Sequence, residues 1–228
     1  MPRNTYLSRS NPDTSFAGTT TIFGRCMLLL CGMDAIAWGG VQLTADWSLK
    51  EGVPMGFWGL VIASFVLIFW SAAWQKRDDL SVALPAGLFA LVEGMIIGPS
   101  LTHYTETLGP SEVNFALGLV VMATAACAGI AYTFTIPFRK IEGVGMVALI
   151  VLILYLVGSW FVAIPEGVDL TISYMACGLF TLLMIADFAR LRWMGEQGDN
   201  TWGGAAFMAL SLFLDQVNLL LFWLRTRD

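Results

Sequence analysis

The sequence predicts an all-α polytopic membrane protein, folded as a bundle of seven transmembrane helices. Of its 228 residues, 57% are hydrophobic and only 13% are charged, about half the charged share of a soluble domain. Apolar runs of about 18 or more residues recur along the chain, each long enough to cross a hydrocarbon core of about 30 Å. These runs are continuous, without two-residue alternation. That selects helices over a closed barrel, the other structure that can span a bilayer.

The first stretch, residues 1–25, begins "MPRNTYLSRSNPDTSFAGTT". It is polar and has no apolar core of the kind a cleavable signal needs, so a flexible tail is expected, followed by a single membrane domain over 26–228. Spans are expected near 26–45, 55–74, 82–99, 113–133, 143–163, 170–191 and 204–224. Segment three is expected to end or kink at Pro99. The connectors, among them "QKRDD", "THYTETLGPSE" and "PFRKIEG", are short, which predicts that consecutive helices are antiparallel neighbours. Cys26, Cys31, Cys127 and Cys177 lie in or beside apolar segments without a C-x-x-C pair and read as packing residues.

Positive charge sets the expected orientation. Arg3, Arg9 and Arg25 precede the first span. Lys76 with Arg77, Arg139 with Lys140, and Arg190 with Arg192 occupy every second loop, while the alternate loops hold only Lys50. This bias predicts a cytoplasmic N-terminus, and the compact chain suggests a bacterial inner (plasma) membrane. Arg225 and Arg227 follow the last segment. Seven full crossings put them outside, whereas a re-entrant last segment would return them to the cytoplasm. The opposite loops are acidic, with Asp46, Glu51, Glu106, Glu112, Glu166 and Asp169, a charge that draws cations to that face.

Four carboxylates fall inside the expected spans: Asp34, Glu93, Asp187 and Asp215. No Lys or Arg lies equally deep. Ionisable groups at such depth face the bundle interior and mark functional sites. In the last segment, "MALSLFLDQVNLLLFWLR", the residues Ser211, Asp215 and Asn218 stack on one helical face, and the other faces are apolar. That pattern belongs to a helix surrounded by other helices. The connection between segments six and seven brings Asp187 and Asp215 to the same half of the membrane, where two carboxyls in contact tend to share one proton. Glu93, near mid-membrane, offers oxygen ligands to a passing cation. Asp34 shares a stripe with Trp38 and Gln42, which suggests a structural hydrogen bond. His103 reads as a solvated residue at the outer end of segment three.

These residues resemble the Bax-inhibitor (transmembrane BAX inhibitor motif) family. Its last-helix pattern A-L-x-L-Y-L-D-x-x-N-L-F is matched by Ala209, Leu210, Leu212, Leu214, Asp215, Asn218 and Leu219, with Phe213 in place of Tyr. "LMIADFARL" keeps the family's aspartate as Asp187 but has Ala186 where an aromatic is usual. "VEGMIIGP" is similar to E-G-x-x-x-G-P through Glu93, Gly94, Gly98 and Pro99. The resemblance implies seven helices with the last wrapped by the other six, and a pH-sensitive calcium leak gated by the Asp187–Asp215 pair. Glu93, Ser211 and Asn218 would then line the ion pathway, with transient calcium at Glu93, Asp187 and Asp215. Lys76 and Arg77 are the candidates for a basic partner of the latch.

On this reading no cofactor is expected and calcium is a permeant ion. The partners are lipid, calcium and protons. A second reading is a non-conducting regulator that binds another membrane protein, such as a protease or survival factor. A third is an intramembrane aspartyl protease, whose G-x-G-D and P-A-L motifs are missing. Otherwise nothing suggests an enzyme, a structural metal or nucleic-acid binding.

Overall fold

The computed structural model describes residues 21–47, 55–159, 161 and 165–228. Of the expected tail over residues 1–25, residues 1–20, with Arg3 and Arg9, lie outside the described residues, as do Lys50 and Glu51, whereas residues 22–25 are already helical. Seven helices long and apolar enough to cross a membrane follow one another: α1 (Ile22–Leu43), α2 (Met55–Ala73), α3 (Ala83–Leu108), α4 (Pro110–Thr133), α5 (Phe138–Gly158), α6 (Glu166–Glu196) and α7 (Trp202–Arg225). A single 3-10 turn, Leu80–Val82, leads into α3, and no strand occurs among the described residues.

α7 is the centre. Its span is 72% buried, against 39% or less for every other helix. It packs against α1, α2, α3, α4 and α6. α5 is the exception to the expectation that six helices surround the last one: it rests chiefly on the outside of α6 and is the least buried span.

The expectation of consecutive neighbours also fails at two places. α1 and α2 do not form a packed pair, and neither do α4 and α5. Instead α1 packs along α3 and α4 packs along α6. Small residues explain the first choice. A Cβ at Gly94 would collide with the Ala37 carbonyl, and one at Gly40 with the Leu91 carbonyl. With lipid as solvent, such close backbone approach supplies the dispersion contact that holds two helices together.

Helix ends differ from expectation too. α1 begins at Ile22, where the Thr21 hydroxyl accepts from the Gly24 N–H at 3.1 Å, a side-chain cap. α3 does not stop at Pro99 but runs on to Leu108. A proline removes one N–H and frees the carbonyl four residues back, here that of Met95. The Thr44 hydroxyl of α1 donates to this oxygen at 2.9 Å, and the absent side chain of Gly98 leaves room for it. So the neighbouring helix satisfies the orphan group, and the helix continues. Most of "THYTETLGPSE" is therefore helical, and the chain reverses at Gly109, with φ +91°, followed by Pro110 in the first turn of α4. His103 accordingly sits on α3, with Nε2 3.7 Å from a carboxylate oxygen of Asp228.

The last helix crosses fully. Its first turn lies beside the α2–α3 connection, where the Gly203 N–H donates to the Arg77 carbonyl at 2.8 Å. Its last turn places the Arg225 Nε 2.9 Å from Asp169 Oδ2, near the start of α6 and at the opposite end of the bundle. No re-entrant turn is present in α7.

Thr44→Val should lower stability by about 1 kcal/mol, because it leaves the Met95 carbonyl unsatisfied. In a Pro99→Ala background, where the restored N–H bonds that carbonyl, the same change should cost less than half as much. A double-mutant cycle of reversible unfolding in detergent measures the difference, and equal costs in both backgrounds would refute this role for Thr44.

Candidate functional site: the carboxyl pair between α6 and α7

The start of α7 is fixed by local chemistry. Thr201 caps it by accepting from the Gly204 N–H at 3.1 Å, and a side chain at Gly203 would strike the Trp74 and Gln75 carbonyls at the end of α2. With the start fixed, helical rise sets depth. Ser211 lies about 14 Å and Asp215 about 20 Å along the helix from Trp202. Asp187 lies about 14 Å back from Glu196, the last residue of α6. Asp187 and Ser211 therefore share a level, with Asp215 one turn deeper.

The side chains agree with this register. Asp187 and Asp215 are both buried, at 7% and 6% exposure. The Ser211 hydroxyl hydrogen-bonds the Asp187 carboxylate across the helix seam. The Asp215 carboxyl is near enough to Asp187 for their charges to act on each other. Asp215 Oδ2 is sealed from solvent with no hydrogen-bond partner among the described residues. A group left in that state costs stability, by about 1–3 kcal/mol for a neutral one and more for a charge.

Around the pair the charges are few. On α5 and α6, Glu142 and Arg190 act on Asp187, and Arg190 Nη1 lies 3.6 Å from Glu142 Oε1. The Arg190 guanidinium also rests 5.7 Å from the Phe207 ring of α7. Cys26 of α1 lies in range of Asp187, and Cys127 of α4 in range of Asp215. Phe213, which stands where a tyrosine was expected, is buried and meets Phe89 edge-on at 6.1 Å.

The other candidate residues are placed differently. Glu93 is half-buried on α3, and no partner acts on it among the described residues. Asn218 donates to the Leu214 carbonyl of its own helix at 2.8 Å. The Arg77 guanidinium lies over the Trp74 ring at 4.1 Å. Neither it nor Lys76 is among the groups that act on Asp187, and Arg190 holds that place. Arg190 was within reach of the sequence, because it follows Asp187 by three residues and so shares its face. Glu142 was not, because it reads as part of the connector "PFRKIEG". No three acidic, His or Cys side chains gather as a metal cage among the described residues.

The family model for the inhibitor of apoptosis-promoting Bax1 matches residues 19–226. The chain belongs to the Bax-inhibitor family. No curated protein sequence matches it. The Bax-inhibitor match covers all seven helices, α1 included. It makes this an integral membrane protein of that family and leaves the chemistry of the pair to be argued from its geometry.

Because Asp215 Oδ2 has no partner among the described residues, Asp215→Leu should raise unfolding stability by about 1 kcal/mol at about pH 8, where no proton joins the pair. Asp187→Leu, which strips a hydrogen bond from Ser211 while Arg190 keeps Glu142, should lower it by about 1 kcal/mol. Detergent unfolding of both variants reads this out, and loss of stability in Asp215→Leu would make that carboxyl a structural group.

Proposed function

We propose that the protein is a pH-sensitive cation leak, with calcium as its permeant ion, and that the Asp187–Asp215 pair is its latch. The observation that carries this reading is the unpartnered buried oxygen of Asp215 beside a second carboxyl. The fold places it there although an apolar residue would fill the site at lower cost. With one proton between them, the two carboxyls join α6 to α7. Without it, two negative charges face each other in a medium that screens them poorly. They then repel or take up a cation, so the open form is the deprotonated one.

Arg190 and Glu142 supply the means to return. As the pair ionises, the guanidinium beside Asp187 can exchange Glu142 for the aspartate. Arg190 thus takes the role expected of a basic partner at Lys76 or Arg77. Glu93 and Asn218 contribute oxygen atoms along the path outward. The end of the bundle that carries Arg25, Arg139, Lys140 and Arg192 is assigned to the cytoplasm, in keeping with the positive charge there, in a bacterial inner membrane. The acidic opposite face, with Asp46 and Glu112, would concentrate cations at the mouth.

Calcium flux into liposomes should rise between about pH 6 and about pH 8 in the wild type. In Asp215→Asn and in Asp187→Asn it should vary by less than about twofold over the same range. Flux that kept its pH response in both variants would reject the latch. No flux from any form, together with co-purification of a stoichiometric membrane partner, would favour the regulator reading.

A further inference from the structure

A cavity of about 300 Å³ opens between α1, α3, α4 and α7, on a stripe of α7 different from the one that carries Asp215. Its walls are apolar, with Val41, Ile97, Leu101 and Phe213 among them. Beyond the Trp38 indole, only Asp34 and Gln216 bring polar side chains to it. Asp34 lies in the middle of α1, and among the described residues no donor or cation acts on it. Gln216 commits its amide nitrogen to Thr124 Oγ1 at 2.9 Å, and its side-chain carbonyl oxygen has no donor among the described residues. Two acceptors, one of them a carboxyl, therefore line an apolar space in the membrane without partners. The expected structural hydrogen bond of Asp34 with Trp38 or Gln42 is absent.

We propose that this cavity binds a small organic ammonium ion with an apolar body, admitted from the lipid between α1 and α4. α1 and α4 do not pack together, so the mouth between them is open. Asp34 and Trp38 are exposed there, and a side chain at Gly118 would meet nothing within 4 Å. The ammonium supplies the charge and the N–H donors that Asp34 lacks. Trp38, one turn along the same face, presents an aromatic ring to the same cation. The body of the ligand fills walls that an inorganic ion would leave empty, and the volume is at the small end for such sites. A lipid tail alone would fill the walls but leave the carboxyl unmatched. None of these residues belongs to the Asp187–Asp215 pair, so this inference stands apart from the leak.

The test is calorimetric titration of the full-length protein in nanodiscs with phenylbutylamine. Phenylbutanol serves as the uncharged isostere, and empty nanodiscs correct for partition into lipid. Saturable one-to-one binding of the amine is expected, weaker by about tenfold or more for the alcohol. Asp34→Asn should lose about tenfold in amine affinity with an unchanged unfolding midpoint. Gly118→Leu, which obstructs the mouth without altering charge, should weaken amine binding as well. Equal binding of alcohol and amine would mean a lipid-like occupant and would overturn the proposal. Undiminished binding by Asp34→Asn, or heats matching empty nanodiscs, would overturn it too.

Discussion

A bilayer core offers no water, so each polar group that enters it must find its partner within the protein. Much of the described fold can be traced to that demand. The carbonyl released by Pro99 is met by a threonine from the next helix. Thr105, Thr124, Thr181 and Ser173 each turn back to a carbonyl of their own helix, at 2.7–3.0 Å. Arg192 donates to the Ala131 carbonyl at the end of α4, at 2.9 Å. Against this habit, α7 carries two sealed oxygens without a partner among the described residues, Asp215 Oδ2 and the Gln216 side-chain carbonyl, and of these only Asp215 can carry a charge. Both lie on the most enclosed helix, where an unmet acceptor is hardest to tolerate.

The arrangement also explains why the pair can respond to its surroundings. Asp187 is tied on one side to Ser211 and influenced on the other by Arg190 and Glu142, which belong to the outer layer of α5 and α6. Asp215 belongs to the core. A change of charge at the pair therefore bears on the seam between the central helix and the outer helices. α5, the least buried of the seven, can shift without unpacking the centre. Small changes at such a seam are amplified because packed helices have discrete alternative positions.

Much of the architecture was legible in the sequence. Length and apolarity placed seven spans, and the Ser211, Asp215 and Asn218 stripe marked the last helix as enclosed. The full crossing of α7 was left open, because Arg225 and Arg227 contradict the charge rule. It became clear only when Asp169, far away in sequence, was seen to take up Arg225. Partner choice was not legible either. Nothing in a hydropathy pattern says that Gly40 and Gly94 will meet, and loop length favoured the wrong neighbours for α1 and α4. Pro99 misled about where segment three ends, because its usual effect is local, whereas its remedy, Thr44, comes from the end of another helix. At the site, Glu142 was hidden in what read as a connector, and Lys76 and Arg77 drew attention away from Arg190, three residues from Asp187.

The proposed latch depends on one hydrogen ion held jointly by Asp187 and Asp215. Infrared spectroscopy of the protein in bilayers, following the stretch of protonated carboxyls as pH is raised, tests it most directly. A shared proton should give one titrating band that belongs to the pair and is altered or lost when either aspartate alone becomes asparagine. Two bands that titrate independently, each unaffected by removal of the other residue, would contradict it.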